Sequence, residues 1–253
     1  MSDERLRELE RLTRAGDPAA RGEWLRARVR AGADVERIEL AARCGEPAAQ
    51  AALGREAGPL LDAQGLACEL ERAGREAVLR AALGLAMEER SLRRLARYVS
   101  QLYLRLLQAA LAVAEVPGDE ARRGRVARVV GEVTVPLIWS RWQQSREGLL
   151  ALGAARCAAA PADDAALRAW FELLHAAFDP AAPGDPAPRL PARWQTLEEG
   201  EALGTASPQA ALALLQRDPL ALGALRAGLA GWALGEPPIA ADALPARFQA
   251  LRG

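Results

Sequence analysis

The chain has 253 residues but no lysine, no asparagine and only one histidine, and these absences exclude several kinds of site. Without lysine there is no Walker A lysine for a nucleotide phosphate and no side chain that could form a Schiff base with a substrate. One histidine cannot supply the paired ligands of an HExxH zinc helix. The sequence also lacks the GxSxG motif of hydrolases and the GxGxxG motif of dinucleotide-binding proteins. We therefore expect no cofactor and no metal site.

The chain also has no net charge and only three cysteines. The 33 arginines balance 33 acidic residues, so no global field favours nucleic acid or an anionic membrane. Cys44, Cys68 and Cys157 form no CxxC pair, and we expect them to be apolar core residues in a reducing compartment. The N-terminus is charged, and the longest mostly apolar stretch (219–235) is short for a membrane span and contains Arg226. We therefore expect a soluble, cytoplasmic protein that binds no membrane.

The composition that remains is typical of α-helix. Alanine and leucine make up more than a third of the residues, and alanine, leucine, arginine and glutamate are strong helix formers. An acidic or hydroxyl residue followed by proline suits a helix start, because the first caps free N–H groups and the second needs no donor. Such pairs are Asp17-Pro18, Glu46-Pro47, Ser207-Pro208 and Asp218-Pro219. We predict helices over residues 3–15, 18–31, 35–44, 47–56, 66–88, 90–115, 119–133, 138–159, 164–178, 193–203, 208–217, 219–234 and 244–252.

Valine is concentrated in one segment, RVARVVGEVTVPLIW (125–139). Val126, Val129, Val130 and Val133 lie at positions i, i+3, i+4 and i+7, which form one face of a helix. A short strand is the alternative interpretation. Because proline disfavours the α conformation in the residue before it, we predict a helix that ends before Pro136.

The first third of the chain contains a weak internal repeat. The heptapeptides RAGDPAA, RCGEPAA and RAGREAV begin at Arg14, Arg43 and Arg72, at a constant spacing of 29 residues. The glycine in each would end one helix before the next begins. This layout is typical of stacked helical hairpins, in which each unit buries its apolar face against its neighbours. Chance similarity in a chain rich in these residues is the alternative.

Five prolines fall within residues 179–191 (DPAAPGDPAPRLP), which can be neither helix nor central strand. We predict a linker there, between a helical body (1–178) and a small helical tail (192–253). Within the body, residues 1–88 would form repeat-like hairpins and residues 89–178 longer helices. The predicted fold class is all-α, an antiparallel helical hairpin array or bundle.

Two groups of arginines are candidate binding residues. The first group is Arg90, Arg93, Arg94 and Arg97, and the second is Arg122, Arg123, Arg125 and Arg128. The first group forms a stripe on one predicted helix. If the two helices pack side by side, the guanidinium groups would form an anion-binding surface for nucleic acid or an acidic partner. The alternative is a solvated surface neutralised by neighbouring carboxylates.

A tryptophan pair is a further candidate contact. Trp139 and Trp142 lie one helical turn apart, and Arg146 follows four residues after Trp142. An exposed pair with a stacked arginine would be an interface hot spot. A buried pair would belong to the core, and the neighbouring Leu137 and Ile138 favour this second interpretation.

A catalytic site would have to use the single histidine. His175 could act as a base oriented by Asp179, or it could pair with Cys157 if two helices brought them together. The neighbouring Trp170 and Phe171 are typical of a packed apolar helix. We therefore favour a structural role for the histidine.

The segments GDPAARGEWLRARVRAG (16–32) and ERIELAARCGEPAAQAALG (36–54) carry a resemblance. Residues 14–54 resemble an alanine-rich helical leader found in many uncharacterised proteins of high-GC bacteria. In those proteins the leader precedes varied partner regions. The resemblance implies helical hairpins and implies no activity.

The leading hypothesis is a non-enzymatic helical module or scaffold that binds another protein, with the tryptophan pair and the arginine stripe as contacts. The first alternative is an anion or nucleic-acid binder that uses the arginine-rich surface, with nucleic acid not favoured. The second alternative is an enzyme that uses His175. Salt separates the first two, because phosphate contacts weaken steeply with ionic strength. The partner and the oligomeric state stay open.

Overall fold

The computed structural model describes most of the chain as helix. It describes residues 3–14, 17–54, 58–98, 101–138, 146–161 and 208–251, together with residues 165, 168, 170, 171, 174, 177 and 178. The α-helices are α1 (Asp3–Arg14), α2 (Pro18–Arg30), α3 (Val35–Arg43), α4 (Pro47–Leu53), α5 (Ala63–Ala73), α6 (Arg75–Ala86), α7 (Glu89–Tyr98), α8 (Gln101–Glu115), α9 (Glu120–Ile138), α10 (Arg146–Ala159), α11 (Pro208–Ala213), α12 (Pro219–Ala233) and α13 (Leu244–Ala250). A 3₁₀ turn (Leu214–Arg217) follows α11.

The all-α prediction is confirmed, since the described residues contain no strand. None of the described helices is long and apolar enough to cross a lipid bilayer. The predicted linker (179–191) and the predicted helix over 193–203 lie outside the described residues.

The acid-proline pairs mark helix starts as the sequence predicts. The Asp17 carboxylate accepts hydrogen bonds from the backbone N–H groups of Ala19 (2.9 Å) and Ala20 (3.2 Å) at the start of α2. At the start of α12 the Asp218 carboxylate accepts from the N–H of Ala221 at 3.0 Å. Glu46 precedes α4 without forming such a bond. Two of the carboxylates therefore satisfy donors that the first turn leaves unpaired.

The single helix predicted over residues 66–88 is wrong, because it is divided into α5 and α6 at Gly74. Gly74 has φ +81°, in a region that side chains with a Cβ rarely enter. Its N–H still bonds to the carbonyl of Leu70 and its carbonyl accepts from the N–H of Val78. One residue thus ends one helix and begins the next in a new direction.

The prediction that a helix ends before Pro136 is also wrong. Helix α9 continues through Pro136 to Ile138. A proline removes one backbone donor and presses its ring on the preceding turn, which costs about 3 kcal/mol in a helix interior. Pro136 is the third residue from the end of α9, so the helix continues only two residues beyond it.

The three repeat segments all fall at junctions between helices. These junctions are α1 to α2, α3 to α4 and α5 to α6. Gly45 and Gly74 both have positive φ, whereas Gly16 lies outside the described residues. Helix ends at these positions agree with the repeat but do not establish a stacked array, so the repeat stays a prediction.

Helix α6 lies at the centre of the fold. It packs against α5, α8, α10 and α12, and eight of its twelve residues are buried. Helix α10 also packs against α7, α8 and α9, so α6 and α10 together carry most of the core. The C-terminal helices are part of this core, because α12 packs against α3, α5 and α6.

Helices α6 and α12 approach each other closely at two glycines. A Cβ atom at Gly84 of α6 would lie 2.7 Å from the carbonyl oxygen of Ala224 and 3.0 Å from the Cα of Gly228. A Cβ atom at Gly228 of α12 would lie 2.5 Å from the carbonyl oxygen of Arg80. The two backbones are therefore in direct contact, and neither position has room for a side chain.

We predict that Gly228→Ala destabilises the protein by roughly 1–3 kcal/mol, because the new methyl group meets backbone rather than a movable side chain. Gly223→Ala on the same helix is the matched control. Gly223 is exposed, and a Cβ there would meet no described atom within 4 Å. The control should be stabilised by up to about 1 kcal/mol through helix propensity. Urea unfolding of both variants checks this, and equal stabilities would contradict the close crossing.

An ion pair joins the starts of α10 and α12. Arg146 Nη2 lies 2.6 Å from Asp218 Oδ2, and the guanidinium group stacks over the Phe178 ring at 3.9 Å from its centroid. Burial alone would raise the pKa of Asp218. The hydrogen bond from the N–H of Ala221 and the charge of Arg146 outweigh burial, so the pKa is lowered from 3.8. The folded state therefore favours the ionised carboxylate.

We predict that Asp218→Asn reduces stability at neutral pH by about 1 kcal/mol, while asparagine still caps the helix. A carboxylate whose pKa is lowered by folding stabilises above its unfolded pKa and loses that contribution as the pH falls through the folded value. The difference between wild type and variant should therefore shrink below pH 3.8. Unfolding free energies measured from pH 7 to pH 2 check this. In an Arg146→Gln background the difference should be smaller at every pH, and an undiminished difference would contradict the pairing.

Candidate functional site

The arginines of α7 are largely paired with carboxylates. Arg93 Nη2 lies 2.5 Å from Glu89 Oε1, one turn earlier. Arg94 Nη1 lies 2.8 Å from Oε1 of Glu147, a nearly buried residue of α10. Arg90 is exposed, and its guanidinium group has no hydrogen bond or ion pair to any described residue. The side chain of Arg97 lies outside the described part of the chain.

The arginines at the start of α9 are also engaged. Arg122 Nη1 donates to the carbonyl of Ala112 (2.7 Å) and to Glu115 Oε2 (3.0 Å), and its Nε lies 3.3 Å from Asp119 Oδ2. These contacts connect the start of α9 to the end of α8 and to the turn between the two helices. Arg123 is half-buried, and its Nε has no hydrogen-bond partner among the described residues.

Arg125 and Arg128 differ from the other arginines of α9, because both are exposed. Neither guanidinium group forms an ion pair with a described residue. The pKa of Asp119 is lowered, first by the hydrogen bond from the N–H of Arg122 and also by the charges of Arg122 and Arg125. Arg128 has no comparable carboxylate in the described structure.

The two arginine groups do not merge through a shared helix contact. Helix α7 packs against α10 and α13, whereas α9 packs against α8 and α10. The condition for a joined surface, two helices side by side, is therefore not met. Arg93, Arg94 and Arg122 are neutralised, and the unpaired Arg90 lies on α7 whereas the unpaired Arg125 and Arg128 lie on α9.

Helix α9 has an unusually open outer face. Eight of the thirteen residues from 120 to 132 are exposed, and Val126 alone among them is buried. Gly124 and Gly131 lie two turns apart on this face with Arg128 between them. A Cβ at either glycine would meet no described atom within 4 Å. We define Gly124, Arg125, Arg128 and Gly131 as the α9 face.

Arg125 and Arg128 are evident as candidates in the sequence, whereas Gly124 and Gly131 are not. The sequence does contain one indication of them: the two glycines lie seven residues apart in a predicted helix, on either side of Arg128. It was obscured because glycine is frequent in this chain and other helical glycines are needed for close packing.

The other candidates fall into two groups. Trp139, Trp142, His175 and Asp179 lie outside the described residues. Cys157 lies in α10 and is fully buried. Trp170 and Phe171 are also buried, with ring centroids 4.8 Å apart, so two neighbours of His175 belong to the core.

The three cysteines form no disulfide and differ in exposure. Cys68 is exposed, whereas Cys44 and Cys157 are buried. Burial raises the pKa of the Cys44 thiol from 9.0 to about 12, which the nearby charge of Arg226 reduces only in part. Since the thiolate is the reactive form, Cys44 is inert in the folded state. Within the described part of the chain no group of His, Cys, Asp or Glu is arranged to hold a metal ion.

We predict that one thiol of the native protein reacts quickly with a disulfide reagent at pH 8 and that all three react after denaturation. The fast reaction belongs to Cys68, since its thiol is exposed to the reagent while Cys44 and Cys157 are buried. The chromophore that the reagent releases, measured over time and compared with the amount of protein, gives the number of thiols that have reacted. A Cys68→Ser variant should lack the fast phase, and a fast phase that persists would contradict the burial of Cys44 and Cys157.

No protein-family model matches the chain, and no curated protein or solved structure matches it either. What the chain does must therefore be inferred from its own helices and side chains.

Proposed function

We propose that this protein is a non-enzymatic helical interaction module that binds another protein through the α9 face. The observation that carries the proposal is the pairing of open glycines with unpaired arginines on one exposed helix. Arg125 and Arg128 form no ion pair with a described residue, and Gly124 and Gly131 leave room beside them.

The glycines support a close approach from outside. A glycine inside a helix costs about 1 kcal/mol relative to alanine. At Gly84 and Gly228 the crossing of α6 and α12 explains the cost, because a Cβ would strike backbone. Nothing in the described structure explains it at Gly124 and Gly131, and the same is true of Gly223 of α12, so the two glycines of α9 support the proposal only together with the unpaired arginines beside them. A partner helix packed against α9 would explain why glycine occurs at these two positions.

The arginines indicate the chemistry of that partner. An exposed guanidinium group binds carboxylates in a bidentate geometry, so the partner should carry Asp or Glu residues opposite Arg125 and Arg128. Trp139 and Trp142 follow α9 directly in the sequence and remain proposed contacts of the same interface.

Nucleic acid is the second candidate, favoured only by the exposed Arg90, Arg125 and Arg128. Two observations favour a protein instead. Arg93, Arg94 and Arg122 of the two arginine groups are neutralised by carboxylates, and the net charge is zero. A nucleic-acid surface would also gain nothing from the two glycines, since phosphates are contacted by side chains.

The test is affinity capture from the source cells, with nuclease, at low and high salt. We predict that a protein partner is retained by the wild type at high salt and lost by Gly124→Leu and Gly131→Leu. Leucine projects into the open space and keeps another backbone away, and we expect the fold to be retained because a Cβ at either position meets no described atom within 4 Å. Arg128→Gln should weaken capture.

The matched control is Gly223→Leu on the exposed side of α12, which should capture the partner as the wild type does. Circular dichroism should show native helicity in all variants. Capture that is equal in the Gly131→Leu and Gly223→Leu variants would contradict the proposal. Loss of every partner with nuclease or high salt would favour the nucleic-acid alternative.

A further inference from the structure

A cavity of about 260 Å³ lies beside the crossing of α6 and α12. Its walls come from α6, α8, α12, α13 and the loop that joins the last two. The polar lining is contributed by Arg80, Glu236 and Arg247, and the apolar lining includes Leu83, Met87, Leu111 and Ile239. Gly84, Gly228 and Gly231 also line the cavity, which therefore lies next to the point where the two helices cross.

Arg80 is a half-buried cation without a direct partner. Its guanidinium group has no hydrogen bond or ion pair to any described residue. Arg80 Nη2 and Glu236 Oε2 both lie against Gly231, at 3.4 Å and 3.2 Å from the position of a Cβ there. Burial lowers the pKa of Arg80, and the charge of Glu236 raises it only in part. A cation in such a place is unfavourable unless an anion pairs with it.

Glu236 is committed elsewhere. Its carboxylate forms an ion pair with Arg21 of α2, and Arg21 Nη2 also lies 3.2 Å from Glu46 Oε1. Arg247 of α13 is exposed at the mouth of the cavity, and its guanidinium group has no described partner. The lining therefore holds two guanidinium groups against one carboxylate, an excess of one positive charge.

We propose that this cavity binds a small organic monoanion, whose oxyanion pairs with Arg80 and Arg247 and whose apolar body packs against Leu83, Met87 and Ile239. A single negative charge balances the lining. The oxyanion suits guanidinium groups, which bind carboxylate or phosphate through two parallel hydrogen bonds. The volume is below the range of drug-sized sites, about 300–1,000 Å³, so the ligand is small. The site is separate from the α9 face and does not depend on it.

The probes are benzoate, benzamide and inorganic phosphate, titrated into the full chain by calorimetry and followed by thermal unfolding. Benzoate has both the charge and the apolar body, benzamide lacks the charge, and phosphate lacks the apolar body. We expect benzoate to bind with a Kd of roughly 1 mM or tighter and to raise the Tm with increasing concentration. Benzamide and phosphate should each bind at least about tenfold more weakly.

Arg80→Met keeps an unbranched, flexible side chain and removes its charge and hydrogen-bond donors. We expect benzoate binding to weaken at least about tenfold, and the Tm without ligand to rise, because an unpaired half-buried cation is removed. Arg247→Gln, at an exposed position, should weaken binding without changing the fold. Arg93→Gln on α7 is the matched control and should bind benzoate as the wild type does.

Several results would overturn the proposal. One is wild-type affinity for benzoate in both Arg80→Met and Arg247→Gln, and another is equal affinity for benzamide and benzoate. Tighter binding of phosphate than of benzoate would exclude an organic ligand. No heat and no Tm shift with benzoate at tens of millimolar would exclude the site. If Arg80→Met fails to fold, Arg247→Gln decides alone.

Discussion

The backbone contact between α6 and α12 is the constraint on which the rest of the structure depends. It brings a helix from the first third of the chain against one from the C-terminal end, at Gly84 and Gly228. Helix α12 then positions three polar connections. Asp218 at its start binds Arg146, Arg226 Nε donates to the carbonyl of Leu61 at 2.7 Å, and Glu236 after its end binds Arg21. All three contacts depend on where α12 lies, and its closest backbone contact is the one with α6.

Much of the local structure could be predicted from the sequence, because helix propensity and capping are local effects. Asp17 and Asp218 begin helices through bonds to residues two or three positions away. The break at Gly74 was missed, since alanine, leucine and arginine continue on both sides and only the backbone angle reveals the turn. The crossing at Gly84 was beyond prediction, because a glycine that allows contact looks the same in sequence as one that does not.

The candidate site was predictable only in part for a similar reason. The arginines of α7 and α9 are evident in the sequence, but their neutralisation is not. Arg94 pairs with Glu147 on another helix, and this contact depends on how α7 packs against α10. The distinction between a paired Arg94 and an unpaired Arg128 is therefore a property of tertiary structure. Nothing in the sequence distinguishes Arg80 from the other arginines, because its place in the proposed anion site depends on its burial in the folded structure.

The crossing also has a consequence for the order in which the chain is made. Helix α6 ends at Ala86, and its partner α12 begins only at Pro219. At a synthesis rate of roughly 5–20 residues per second, α12 is completed on the order of ten seconds after α6. During that time a largely apolar helix surface has no native cover on this side. Completion of the core is thus delayed until α12 leaves the ribosome, and truncated chains should be targets for chaperones and proteases.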